Sequence, residues 1–261
     1  MLQGPPRLLK LTLATDLALT CLPNVGTVEE IFLGDDGIVV NAREGQILVD
    51  HSTVSPGTYK KIAEAAKVRG ASFPDAPLGG GSAQAAVDAP LTIMVGGNRD
   101  AYEGALPVFQ VMGKTIPHMG ASGTGSGMKV AGNLMVGINS LGAAEALLLA
   151  TRSGIDPQLF LDTAATNAGS SFMLSYLGPA MASREKSRPN VTLKPALRGL
   201  VIDQELANAA ASEAGISLTA GRKAMEMFQA ALAGGSGEDD IASILLAVEK
   251  LTQEWDWLTQ R

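Results

Sequence analysis

Lys129 closes the run His118-Met119-Gly120-Ala121-Ser122-Gly123-Thr124-Gly125-Ser126-Gly127-Met128-Lys129, where a glycine-rich turn feeds a long apolar stretch of helical spacing. A cation in a first helical turn meets the positive end of the helix dipole and is disfavoured by roughly 0.3–1 kcal/mol. The unpaired N–H groups of the same turn attract an anion. An ammonium beside an anion site is therefore predicted here, a pairing suited to an acidic ligand. Asn133 falls one turn further along the same face; its alternative is a polar contact within the helical region. The turn Gly79-Gly80-Gly81 can bring backbone N–H groups to a carboxylate, because glycine permits the dihedrals and the close approach. A flexible loop is the plainer reading of the same residues.

The elements that must hold these residues read as two blocks. In the first half, short apolar runs at 16–22, 46–50, 71–75, 91–96 and 114–118 alternate with Gly/Pro/Asp-rich breaks, as strands of a mainly parallel sheet do. Residues 58–69 interleave Lys60, Lys61, Glu64 and Lys67 with Ile62, Ala63, Ala66 and Val68 at helical spacing. A strand–helix–strand unit follows, with its right-handed crossover and helix-covered sheet. From Ser126 the strand-like alternation ends, and a helix through Thr151 is predicted as the spine of an all-helical domain. Further helices are predicted at 157–167, 173–181, 194–214, 218–233 and 239–252, with Asp239 and Asp240 as an N-cap pair. The predicted division is 1–124 and 125–261.

Composition narrows the function classes. The chain has 261 residues, 46% of them hydrophobic, enough for well-filled cores. A net charge of -6 and the lack of any Lys/Arg block give no footprint for nucleic acid or an anionic membrane surface. The apolar stretch 130–150 is interrupted by Asn133, Asn139 and Glu145, which favours a buried helix, with Glu145 a buried polar group, over a membrane span. The single cysteine, Cys21, is expected in the core of an apolar strand. It excludes an intramolecular disulfide framework and points to a reducing compartment, cytoplasmic or an organelle matrix. His51 and His118 have no partner at metal-ligand spacing, so no metal is expected.

Four segments occur in a telling order: Leu22-Pro23-Asn24, Asp50-His51-Ser52-Thr53-Val54-Ser55-Pro56, Asp75-Ala76-Pro77-Leu78-Gly79-Gly80-Gly81, and the glycine run to Lys129 and Asn133. Leu91-Thr92-Ile93-Met94-Val95-Gly96-Gly97, Glu145-Ala146-Leu147 and Gly237-Glu238-Asp239-Asp240 support them. Over residues 14–250 the pattern resembles the β-hydroxyacid dehydrogenases, the family of 3-hydroxyisobutyrate dehydrogenase and tartronate semialdehyde reductase, with 6-phosphogluconate dehydrogenase more distant. The resemblance implies an α/β fold, a Rossmann-type mainly parallel sheet followed by an all-helical domain. It also implies hydride transfer between NAD or NADP and a small 3-hydroxy acid, and a homo-oligomer. Lys129 matches the family's general acid/base, Asn133 its substrate-orienting asparagine, Gly79 and Gly80 its substrate-carboxylate turn, and Leu22, Pro23, Thr27 and Thr53 its cofactor wrap. For Leu22, Pro23 and Thr53, turn formation and packing are the competing reading.

Three departures from the family pattern stand out. The family's opening strand and G-x-x-G-x-[MA]-G turn, which hold a pyrophosphate at a helix N-terminus, have no counterpart. The chain enters at Asp16, which resembles the start of the fourth Rossmann strand, so an incomplete sheet is expected. Its first strand would then leave an edge open, unless residues 8–13 cover it. Gly79 stands where the family has a serine, with Ser82 nearby in sequence, and Ile202-Asp203-Gln204 where it has Lys-Asp-Leu. A non-catalytic dimerisation or binding module is accordingly the alternative to an active oxidoreductase.

Overall fold

The computed structural model describes residues 12, 14–80, 91–184 and 197–259, with side chains through Leu251. Two compact units are present, the first ending at Ala131 and the second beginning at Gly132.

In the first unit, β1 (Leu17–Thr20) pairs in parallel with β2 (Ile47–Asp50), Leu17 against Ile47 and Thr20 against Asp50. Side chains alternate between two cores. Ala18 and Leu48 enter one cluster with Val28, Phe32, Tyr59, Ile62 and Phe73. Val49 enters another with Ile93, Val95, Ala105 and Phe109, against which Leu17, Leu19 and Ile47 pack. Helices α1 (Val25–Leu33) and α2 (Pro56–Val68) thus cover one face, and α3 (Arg99–Met112) the other. This is the helix–sheet–helix layering that apolar parallel strands require.

Segment 71–75, predicted as a strand, is held only by isolated bridges, parallel at Ile47–Ser72 and Asp50–Asp75 and antiparallel at Asp75–Gly96. Pro74 supplies no N–H, so a continuous ladder cannot form. The predicted strand at 91–96 divides into β4 (Leu91–Ile93) and β5 (Val95–Gly96). The one at 114–118 divides around Pro117 into β6 (Gly113–Thr115) and β7 (His118–Gly120). β4 pairs in parallel with β6 and β5 with β7, while the short β3 (Leu78–Gly79) runs antiparallel to β4. Among the described residues no strand pairs with the outer edge of β1. Residues 8–13 lie outside the described residues apart from Thr12, whose carbonyl accepts from Gln46 Nε2 at 2.7 Å.

Two helices go beyond the sequence reading. α1 starts at Asn24, whose side chain accepts from Thr27 N, and α3 at Asn98, which accepts from Ala101 N. Both are N-caps of the preferred type. In α3 the internal Gly104 and Pro107 mask the helical spacing.

The second unit continues α4 (Thr124–Arg152), which begins in the first. At 29 residues it is about 44 Å long, and it is apolar and long enough to cross a bilayer. Its Leu141, Ala144, Leu147 and Leu148 instead sit in a helical core with α5 (Pro157–Ala164), α6 (Phe172–Ala182), α7 (Leu197–Glu213), α8 (Thr219–Ala231) and α9 (Ile244–Thr259). Glu145, expected to be buried, is exposed: it lies on the side of α4 turned away from that core. Asp240 caps the turn before α9 by accepting from Ala242 N at 3.0 Å. Asp239 contributes its carbonyl, accepting from Leu197 N at 3.1 Å.

His51 is a core residue of the first unit, its Nδ1 2.6 Å from the Ala76 carbonyl and its ring edge-on to Phe109. With Nδ1–H donating, Nε2 is left buried without a partner. Burial holds this imidazole below its ordinary 6.5, so the native state binds fewer protons than the unfolded chain. His51 therefore contributes stability above pH 6.5 that is lost as pH falls toward its lowered value. Urea unfolding across pH 7.5 to 5 should show that loss, and His51→Met should flatten it; parallel slopes in the two proteins would contradict the assignment.

Candidate functional site

In open parallel sheets, ligands bind outside the carboxyl ends of the strands. Here those ends carry two fully buried acids, Asp50 and Asp75, on adjacent strand segments. Asp50 Oδ1 accepts from Thr20 Oγ1 at 2.6 Å and Ser52 Oγ at 2.9 Å. Its Oδ2 and the Ser52 carbonyl share the Tyr59 hydroxyl, each at 2.8 Å. Burial and the Asp50 charge drive the Tyr59 hydroxyl far above its ordinary pKa, so it remains a donor. Ser52 Oγ also accepts from Leu22 N at 2.7 Å. Hydroxyl donors surrounding Asp50 thus tie the loop after β1 to the loop after β2.

That network brings Leu22 beside the Ser52–Thr53 segment. Leu22 and Thr53 are half-buried and Pro23 is exposed. Thr27 lies in the first turn of α1, with its N–H committed to the Asn24 cap at 2.9 Å. Cys21, predicted in the core, is exposed. β1 ends at Thr20, so the cysteine sits on the loop and not in the sheet. The residues at these two strand ends form an accessible lip whose backbone is fixed from beneath.

Asp75 occupies the start of α4. Its Oδ1 accepts from Gly123 N at 2.6 Å and its Oδ2 from Ser126 N at 2.8 Å, with Gly125 N a further donor. The anion predicted at this helix N-terminus is therefore the protein's own carboxylate. The glycines make room for it: a Cβ at Gly96 would lie 2.6 Å from Asp75 Oδ1, and one at Gly125 would lie 2.9 Å from Oδ2 and collide with the Met94 carbonyl. Ser126 Oγ donates to the Val54 carbonyl at 2.5 Å, fixing the turn against the loop after β2. Burial pushes the Asp75 carboxyl up against the opposing pull of these N–H donors. Lys129, one turn along, is half-buried. A carboxylate at the helix start offsets the dipole penalty on that lysine.

Gly79 ends β3 opposite Thr92, and Gly80 follows at φ 143°, a conformation that favours glycine. Gly81 and Ser82 lie outside the described residues. Asn133 belongs to the second unit, and its carbonyl accepts from Gln204 Nε2 at 2.7 Å. Gln204 is fully buried and Ile202 half-exposed. Asp50, Asp75, Ser126 and Gln204 escaped the sequence reading as positioning residues. Asp50 and Asp75 stand in quoted motifs, but their partners lie as far as 30 and 51 positions away.

Removing Asp75 leaves several N–H donors unpaired, and bonds to a charged group are each worth about 1.5–3 kcal/mol. Asp75→Ala should lower unfolding stability by about 3 kcal/mol or more, and Asp75→Asn by less. Denaturant midpoints unchanged in both would refute the role.

Comparison with known proteins gives consistent matches. A family model described as the NAD binding domain of 6-phosphogluconate dehydrogenase covers residues 6–120. Another, described as NAD-binding of NADP-dependent 3-hydroxyisobutyrate dehydrogenase, covers residues 123–248. The chain is 39% identical to the uncharacterized oxidoreductase YkwC of Bacillus subtilis over 64% of its own length and 57% of that protein. It is 31% identical to 2-(hydroxymethyl)glutarate dehydrogenase of Eubacterium barkeri, over 93% of this chain and 79% of the relative. Its fold matches Mycobacterium tuberculosis 3-hydroxyisobutyrate dehydrogenase with L-serine at TM-score 0.82 and 24% identity, covering 92% of this chain and 81% of the other.

Proposed function

Since this chain belongs to the 3-hydroxyisobutyrate dehydrogenase family, we propose that it is an NAD(P)-dependent oxidoreductase that interconverts a small 3-hydroxy acid and its semialdehyde or keto form. The observation that carries the proposal is Lys129 on a helix start fixed by Asp75, in a chain matching both NAD-binding family models. Bound NAD(P)+ supplies the hydride acceptor. In oxidation the Lys129 amine takes the hydroxyl proton as the carbinol C–H electrons leave as hydride; in reduction the ammonium returns it. Asn133, one turn along α4, orients the substrate, and the backbone at Gly79 and Gly80 receives its carboxylate. Leu22, Pro23, Thr27 and Thr53 would hold the cofactor. Residues 1–124 serve as the partial cofactor domain and 125–261 as the helical domain of a cytoplasmic homo-oligomer.

The alternative, a non-catalytic binding or dimerisation module, draws on Gly79 in place of a hydroxyl-bearing residue. Fluorescence titration of the folded chain with NADH and NADPH separates the two, and saturable binding is expected. A folded sample silent toward both would leave only the alternative. Where turnover is found with short 3-hydroxy acids, Lys129→Ala should reduce kcat by about 10²–10⁴-fold with cofactor affinity retained. Undiminished turnover would remove the lysine from its role.

A further inference from the structure

A cleft of about 430 Å³ opens beside α2 in the first unit, bordered by Glu64, Lys67, Ser72, Phe73, Asn98 and Ser122. Lys129, Gly79 and the strand-end lip at Leu22 and Thr53 do not border it, so it is separate from the candidate site. Glu64 and Lys67 are exposed on α2, three positions apart, a spacing at which opposite charges can pair. Lys223 and Glu226 do pair at that spacing, at 2.7 Å. Among the described residues Glu64 and Lys67 are in no ion pair, with each other or with any other group. Two opposite charges therefore border the cleft without neutralising each other.

The two ends of the cleft differ in hydrogen-bonding character. Asn98 Oδ1 is committed to the start of α3, accepting from Ala101 N at 2.7 Å, and its Nδ2 donates to Ser72 Oγ at 3.2 Å. Ser72 Oγ is thus an acceptor within the protein, and its own proton can be given to a ligand. The second Nδ2 hydrogen of Asn98 is a further donor. Lys67 belongs to this end, since it lies in the last turn of α2 and Ser72 follows that turn closely. Glu64 lies a turn back toward the start of α2. The Ser122 loop lies on that side too, because a Cβ on Gly123 would sit 3.3 Å from the Lys60 side chain. One end accordingly offers donors and a positive charge, the other a carboxylate and a hydroxyl.

A simple anion would meet Glu64 and a simple cation would meet Lys67, and like charges this close are destabilising. A molecule that carries both charges a few bonds apart avoids both penalties. The helix rises about 4.5 Å between Glu64 and Lys67 at 1.5 Å per residue, which is the scale of a small zwitterion. We propose that this cleft binds a small amino acid, its carboxylate taken by Lys67, Ser72 and Asn98 and its ammonium by Glu64 and Ser122. Charge-assisted bonds of this kind are the strong ones. Ser122 precedes Gly123, whose amide donates to Asp75, so the occupant adjoins the turn that begins α4. The inference goes beyond the dehydrogenase reading and does not depend on it, since it uses neither cofactor nor substrate.

Calorimetric titration of the full chain with glycine and L-alanine tests it, because neither carries the hydroxyl on which the Lys129 site acts. Saturable binding of the amino acids is expected, and none of propionate or ethylamine, which carry one charge each. Glu64→Gln and Lys67→Gln place a good helix former at exposed positions. Each should weaken binding about tenfold, the loss of one charge-assisted hydrogen bond, while Lys129→Ala should leave it unchanged. No saturable binding of either amino acid, equal binding of propionate or ethylamine, indifference to both α2 substitutions, or loss of binding in Lys129→Ala would overturn the proposal. Titration of the same samples with NADH and NADPH reports separately on the dehydrogenase reading.

Discussion

A buried carboxylate that substitutes for a ligand at a helix start organises the first unit. Asp75 leaves a bridged strand segment and accepts from the amides of Gly123 and Ser126, so sheet and helix are joined by a charge–dipole contact and not by apolar packing alone. Desolvating a carboxylate costs several kcal/mol unless donors surround it. The donors here are the amides left unpaired at a helix N-terminus. Each half of the contact satisfies what the other leaves open, and both need glycine at 96 and 125. The placement of Lys129 follows, because its turn cannot rotate or slide without breaking those bonds.

Asp50 solves the same problem with different donors. Its partners are the hydroxyls of Thr20, Ser52 and Tyr59, and through Ser52 it reaches the backbone of Leu22. Among the described residues, the donors to both acids are hydroxyls and backbone amides, so both negative charges are held by neutral dipoles. The two acids stand on adjacent strand segments, one serving the loops near Leu22 and Thr53, the other the helix bearing Lys129.

The sequence disclosed periodic elements better than their interruptions. The helix at Pro56–Val68 was legible from charged and apolar spacing, and the long helix from the recurrence of apolar residues at helical spacing from Ser126 to Thr151. The strand predicted at 71–75 is reduced to isolated bridges, because its apolar composition conceals the N–H lost at Pro74. α3 was hidden by Gly104 and Pro107, which read as breakers although the cap at Asn98 and the buried Ala101, Ala105 and Phe109 sustain a helix. At the site, types and positions were legible while partners were not. The anion-seeking helix start could be read locally, whereas its occupant is 48 residues away from Gly123, and no local pattern encodes that distance. Cys21 and Glu145 were misplaced for a related reason: an apolar neighbourhood in sequence shows neither where a strand ends, as before Cys21, nor which side of a helix faces the core, as at Glu145.

α4 shows how one helix meets two demands. The Asn133 carbonyl bonds to the Gly137 amide in the helical ladder and also accepts from Gln204 Nε2, which uses both oxygen lone pairs. Only glycine at 137 permits that approach, since a Cβ there would overlap the Gln204 amide. Side-chain identity at 137 and 204 therefore fixes the rotation of the helix about Asn133, just as Asp75 fixes its first turn.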